Sequence, residues 1–214
     1  MKNKMRKLVV FCALFIGVMT VSAQLSQHGL VLNGGLGRVD EKSDKWGERW
    51  DDIDYKVGMS LGYRFRFNKP EPKSLHYDLD INFGVKGARV VHWNRLEWIL
   101  EDESGSSPLI GYMGSSGGAG YHYTSIGFTA NYSLIRNFSF GLGVEPLYFF
   151  KAHYREIKNS FDVPVVARIA YNFKFAEIAI SGKYGLVNVF ETDYMKSGRI
   201  RELQLSLFIP FKTK

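Results

Sequence analysis

From His28 onward the chain alternates apolar and polar residues with a period of two, the pattern of strands whose two faces meet different surroundings. The clearest run places Tyr55, Val57, Met59, Leu61, Tyr63, Phe65 and Phe67 on one face, with Lys56, Gly58, Ser60, Gly62, Arg64 and Arg66 on the other. Leu75, Tyr77, Leu79, Ile81, Phe83 and Val85 alternate with His76, Asp78, Asp80, Asn82, Gly84 and Lys86. Further runs cover Ser125–Leu134, Phe138–Glu145, Asp162–Lys174, Glu177–Leu186 and Glu202–Phe211, and a Gly-rich first run spans about His28–Val39. Val166 and Phe208 interrupt the polar side of their runs. The pattern predicts eight strands.

The connections alternate too. Long polar or irregular segments cover about 40–53, 88–120, 151–161 and 191–199, and short turns cover about 68–74, 135–137 and 174–176. Long loops at one end and tight turns at the other are the layout of an up-and-down antiparallel barrel, and bacterial transmembrane barrels have an even number of strands. The expectation is an all-β fold: one eight-stranded antiparallel up-and-down transmembrane β-barrel with long external loops and short periplasmic turns.

Period two leaves open which face meets solvent. In a secreted soluble barrel of the lipocalin kind, the apolar face lines a cavity for a lipid or small ligand. In a membrane barrel it faces lipid. The apolar faces carry almost no charge over five to seven positions, enough for a tilted strand of ~9–11 residues to cross a bilayer. Tyr55, Tyr63, Phe67, Tyr132, Phe138, Tyr171, Phe173 and Phe211 gather towards strand ends, as interfacial aromatic girdles do. The opposite faces are rich in Gly, Ser and Asn, which suit a narrow lumen. These features favour the membrane barrel.

The N-terminus fixes the expected compartment. Lys2, Lys4, Arg6 and Lys7 precede an apolar run from Leu8 to Val18, and Val21 and Ala23 stand at −3 and −1 of a cleavage site before Gln24. This is the pattern of a secretory signal peptide over 1–23, with 24–214 as the barrel domain. The run is well short of the ~20 apolar residues of a spanning helix. Cys12, the only cysteine, lies inside it, so the mature chain has no disulfide, thiolate metal site or Cys nucleophile. The formal charge of +7 also shrinks: four of the 28 basic residues lie in this segment, and the remaining 24 against 21 acidic residues leave +3. No basic stripe remains to support nucleic-acid binding.

The chain resembles the small eight-stranded outer-membrane proteins of the OmpA/OmpX type, and most of all the outer-membrane β-barrel and PorT-like proteins of Bacteroidota. The likeness covers about 28–211. It rests on the signal peptide, the strand count, the loop alternation and the aromatic closing strand Leu203-Gln204-Leu205-Ser206-Leu207-Phe208-Ile209-Pro210-Phe211, after which Lys212-Thr213-Lys214 follow where many members end on the aromatic. The resemblance implies an integral protein of a Gram-negative outer membrane, both termini periplasmic. It implies a structural or interaction role through the external loops, or a place in an envelope or secretion assembly. Outer-membrane lipid and an envelope protein are the partners it implies, with no oligomeric state specified.

Candidate chemistry is sparse. The polar faces contribute Lys56, Arg64, Arg66, Asp78, Asp80, Lys86, Glu145, Asp162, Arg168, Lys174, Glu177, Lys183 and Glu202. These mixed charges are expected to pair inside the lumen, because a buried ion without a partner is strongly unfavourable; the rival reading is a narrow ion path. An outer-membrane acyl hydrolase or acyltransferase acting on lipid A needs a Ser–His pair, and His122-Tyr123-Thr124-Ser125 is the nearest candidate. Period two puts His122 and Ser125 on opposite faces, so no enzyme is expected. His92, His122 and His153 lack the short spacings of a metal motif. Gly114–Gly120 lacks the Lys and helix of a phosphate loop and reads as flexible connection, so no cofactor is expected. Trp46 and Trp50, in a segment with seven acidic residues between Asp40 and Asp54, and Trp93 and Trp98 read as interfacial anchors or as a recognition surface.

Overall fold

A computed structural model describes residues 25–43, 49–102, 105–152, 159–173, 175–190 and 195–211, with side chains described for 25–39, 57–87, 120–150, 159–173, 175–190 and 198–211. Ten strand segments run in chain order: β1 (Leu25–Ser43), β2 (Arg49–Phe67), β3 (Leu75–Asp102), β4 (Gly105–Ile135), β5 (Phe138–Val144), β6 (Leu147–Ala152), β7 (Phe161–Asp162), β8 (Val165–Asn172), β9 (Glu177–Tyr184) and β10 (Met195–Pro210). They make eight staves, because β5 and β6 are two halves of one stave and β7 and β8 of the next. Both breaks fall at a proline, which has no N–H for the ladder. The ladder is stitched across them by Ile126 N–H donating to the Pro146 carbonyl (3.0 Å) and Glu145 N–H to the Pro164 carbonyl (2.9 Å).

Every stave pairs antiparallel with its sequence neighbours, and β1 pairs with β10 from Gly29↔Pro210 upward, closing the ring. Closure leaves no free edge in the part of the sheet that meets lipid. The tight turns sit where the pattern predicts them. The turn over 68–74 uses left-handed backbone at Asn68 (φ 63°) and Lys73 (φ 59°), and a two-residue turn at Arg136-Asn137 joins β4 to β5.

The faces are settled by exposure. Leu142 is 69% exposed, Leu36 65%, Met59 63% and Phe83 62%, whereas Arg64 is 2% and Arg66 1% exposed. An apolar outer belt around a charged interior is a transmembrane barrel and the inverse of a soluble lipid carrier. At the tight-turn end the belt closes on aromatic clusters: Tyr63 with Phe65 and Phe211, Phe138 with Phe140, and Tyr171 with Phe173 and Phe175.

The opposite end corrects the expectation of irregular loops. β3 and β4 are 28 and 31 residues long and pair continuously from Leu75↔Tyr132 to Asp102↔Gly105. Most of 88–120 is therefore one extended hairpin, and Gly114–Gly120 is strand, paired with Trp93–Gly87. Residues 49–55 also pair with β3, and β1 and β10 pair as far as Ser43↔Met195. The reason is physical. Alternation in sequence records a contrast between lipid and lumen; beyond the bilayer both faces meet water, so the pattern fades while backbone pairing continues. Residues 86–102 extend roughly 55 Å at ~3.3 Å per residue.

Candidate functional site

The lumen holds the chemistry, in layers. Nearest the tight turns, β2, β3, β8 and β9 each direct polar-face residues inward to form a six-member ion cluster. Arg64 grips Asp80 through Nε (2.6 Å) and Nη2 (2.7 Å) and reaches Glu177 (2.9 Å) and Asp78 (3.5 Å). Arg66 forks onto Asp78 (2.7 and 2.9 Å) and pairs with Glu177 (2.8 Å). Arg168 donates to Asp78 (3.0 Å) and to Glu177. Three guanidiniums thus share three carboxylates, and bidentate Arg–carboxylate geometry repays part of the desolvation that burial demands.

Phe208 explains its own interruption of the pattern. Its buried ring lies under both Arg64 (5.0 Å) and Arg66 (5.1 Å), a cation–π floor for the cluster. Val166 likewise points inward, between Gly143 and Lys183 in register.

Above this lies a neutral polar layer. Asn33 Nδ2 donates to Ser60 (2.9 Å) and Asn82 (3.3 Å), Asn82 Nδ2 to Ser125 (3.4 Å), and Ser125 Oγ to Glu145 (2.8 Å). It leads to a second ion layer, Lys86–Glu202 (2.6 Å) and Lys183–Glu145 (2.5 Å), with Lys86 Nζ 4.9 Å from the centre of the Tyr123 ring. Glycine permits a close approach at Gly84, where a Cβ would lie 2.5 Å from the Met59 carbonyl oxygen and 2.7 Å from Tyr123 Cε1.

A hydrophobic plug covers the second ion layer: Val39, Tyr121, Tyr123, Leu147, Phe149, Val189, Phe190 and Ile200 are all buried. Tyr121 packs edge-on against Phe149 and Phe190. The expectation of a small, polar interior missed this plug. Its signal was present, because Tyr121 and Tyr123 continue the inward phase of Ser125, and Leu147 and Phe149 that of Glu145. At the other mouth a cavity of roughly 640 Å³, lined in part by Gln27, Arg136 and Asn172, stops against Arg66, Glu177 and Phe208.

Ten of the charged residues expected inside therefore fall into two groups, Arg64, Arg66, Asp78, Asp80, Arg168 and Glu177 below and Lys86, Glu145, Lys183 and Glu202 above. Asp162 is the exception. It is buried but makes no ion pair among the described residues; its Oδ1 accepts the backbone N–H groups of Val163 (2.8 Å) and Val187 (3.0 Å), bracing the chain at the Pro164 break. The side chains of Lys56, Lys174, Trp46, Trp50, Trp93, Trp98, His92 and His153 lie outside those described. The backbone register sets Trp50 opposite Trp93 on β2 and β3.

His122 faces outward beside Phe150, whereas Ser125 faces the lumen. A Ser–His contact occurs elsewhere, between Ser133 Oγ and His76 Nδ1 (3.3 Å), with both residues fully buried. No group of three or more metal-ligating side chains occurs among the described residues.

No family model matches the chain, and no curated protein does. Among solved structures, it is similar to Ail, the attachment invasion locus protein of Yersinia pestis, at 15% identity and a TM-score of 0.38 over 88% of this chain and 100% of that one. It is also similar to LpxR from Salmonella typhimurium, at 9% identity and a TM-score of 0.28 over 85% of this chain and 100% of that one. The barrel architecture rests on the closed hydrogen-bonded ring itself.

Proposed function

We propose that this chain is an outer-membrane protein that works through its strand projection on the external side and does not serve as a conduit. The observation that carries the reading is the division of the molecule. The lumen is filled by two self-neutralising ion layers and an aromatic plug, while β3 and β4 continue far past the last belt residues, Val85 on β3 and His122 on β4. An eight-stranded barrel has room for side chains and little else. A chain that extends a hairpin roughly 55 Å beyond the belt, at ~3.3 Å per residue, presents its contact surface there. The expected signal peptide agrees with export, and tight turns at the opposite end agree with the insertion geometry of outer-membrane barrels. The partner class is a surface or envelope protein, with membership of an envelope or secretion assembly as the specific form.

The test shortens the projection. Joining Gly87 to Gly120 by a tight turn removes the hairpin and leaves the lipid-facing staves intact. Ser107→Cys in the full chain supplies a cross-linking handle at the tip, and Ser107 lies within the removed stretch. The shortened barrel is expected to remain folded in the outer membrane and to lose its function in cells, with the Ser107→Cys chain giving discrete cross-linked adducts on intact cells. A shortened chain that keeps full function, or a full-length chain with no adducts, overturns the reading.

A further inference from the structure

The projecting hairpin has two sides, and they differ. β4 keeps one unbroken register with β3 from Tyr132 to Gly105, so the phase of its backbone carries through without a slip. At the belt, Ile126 N–H donates across to the Pro146 carbonyl (3.0 Å), whereas Ser133 N–H donates to the Ser74 carbonyl, just before β3 (2.9 Å). Even-numbered residues of β4 therefore turn their backbone polar groups away from β3, and odd-numbered ones towards it. Among the described residues, β4 has a strand on that second side only from Tyr121, opposite Ala152, downward. Six residues join Ala152 to Asn159, three out and three back, which reach no further along the register than Gly118. Ile110, Tyr112, Gly114 and Ser116 thus carry their N–H and C=O groups on an open edge.

The residue types suit an edge made for pairing. From Gly105 to Tyr121 there is no Asp, Glu, Lys or Arg. Open edges are ordinarily blunted by charge, and the other side of the same hairpin is. Beyond Asn94, the last β3 residue paired with β2 among those described, β3 has Arg95, Glu97 and Glu101 in its edge phase. Pro108, the one proline of β4, falls in the phase turned away from β3, where its missing N–H costs no ladder bond; it ends the edge just past Ile110. In register, Leu96, Trp98 and Leu100 of β3 share one phase of the hairpin with Leu109 and Met113 of β4.

We propose that the β4 edge over 110–118 is completed by an extended segment of a partner protein, apolar at every second residue, which adds to it as an antiparallel strand. Main-chain hydrogen bonds supply the affinity in this mode of recognition, and the alternation of the added strand supplies the selectivity. The apolar phase of the hairpin sets that alternation, because neighbours across an antiparallel pair share a face. A second copy of this chain fits the edge less well. In one membrane both copies run β4 in the same sense, so a two-fold pair of these edges is a parallel ladder, the less stable kind per residue. A partner segment is free to run antiparallel. The inference rests on the reading of the hairpin as the contact surface and names how the contact is made.

The test reads backbone amide exchange by NMR on the isotope-labelled chain from Gln24 onward, folded in detergent micelles. The probe is a synthetic peptide of about ten residues alternating Val and Thr, the length of the edge at ~3.3 Å per residue. Its control is the same peptide N-methylated at alternate residues, which removes the pairing N–H groups and keeps the apolar ones. In the free chain, the amides of Ile110, Tyr112, Gly114 and Ser116 are expected to exchange about tenfold or more faster than those of Gly111, Met113 and Ser115. The peptide is expected to slow the even-numbered set by about tenfold, and the N-methylated control to leave it unchanged. Tyr112→Pro, checked for the folded barrel by mobility of unboiled protein, removes one edge N–H without touching the β3 ladder and is expected to weaken the peptide by about tenfold. Even-numbered amides already slow in the free chain, no slowing on adding the peptide, or equal slowing by the control overturns the proposal. Slowing that grows with protein concentration alone gives the edge to a second copy, and the partner-segment assignment falls. Should Tyr112→Pro not fold, the exchange pattern of the unmutated chain carries the test. Failure here with a hairpin still required in cells leaves the proposed function standing through another surface of the projection.

Discussion

Asp78→Asn is the most informative single change to the lumen. Asp78 accepts two bonds from Arg66, one from Arg168 (3.0 Å) and one from Asn131 (3.2 Å), and lies 3.5 Å from Arg64. Neutralising it leaves three buried guanidiniums facing only Asp80 and Glu177, an excess of one positive charge where water is excluded. Breaking a buried pair by removing one partner costs about 3–5 kcal/mol, mostly through the charge left behind. The matching cation offers the control: Arg66→Gln with Asp78→Asn restores neutrality, and the coupling between neighbouring groups of this kind is about 0.5–3 kcal/mol. Urea unfolding from lipid vesicles, followed by mobility of unboiled samples, measures both. A cost below about 1 kcal/mol for Asp78→Asn, the scale of an exposed pair, or a double variant no more stable than the sum of the singles, refutes the account of a charge-balanced interior.

Three other expectations follow from the same layers. Leu142→Arg places a cation on the belt and is expected to cost about 2–4 kcal/mol near the midplane; a cost near zero in vesicle unfolding would place Leu142 away from lipid. Gly84→Ala drives a methyl against the Met59 carbonyl, Ser60 and Tyr123 and is expected to cost about 1–3 kcal/mol. Pairing it with Tyr123→Leu is expected to recover part of that loss in the same assay. In planar bilayers the wild-type barrel is expected to show no resolved conductance steps, and stable steps would mean that the ion layers and plug leave a path.

Much of this was legible because the bilayer writes a period-two signal into the sequence. Arg64 and Arg66 share a face with Asp78 and Asp80 in the pattern, and the register then sets Arg64 against Asp80 and Arg66 against Asp78. Which charges meet across the lumen was not legible, because Arg168 and Glu177 reach the same cluster only through closure of the ring. Asp162 shows a further limit: its phase is inward, yet its partners are backbone amides freed around a proline break, which no side-chain pattern encodes. Phe208 and the plug show that an inward phase does not mean a polar residue. The extended hairpin was misread for the opposite reason, since pairing outlasts the contrast that reveals it.

The central claim, that the apolar face meets lipid and the charged face is sealed inside, is tested most directly by a cysteine scan of β10. The sole cysteine, Cys12, lies in the expected leader, so a chain expressed from Gln24 onward provides a cysteine-free background. Single cysteines at Leu203, Gln204, Leu205, Ser206 and Leu207, labelled with a small fluorophore after unfolding and refolded into vesicles of brominated lipid, report contact with acyl chains. Quenching is expected at 203, 205 and 207 and not at 204 and 206. Quenching at the even positions, or at none, contradicts it.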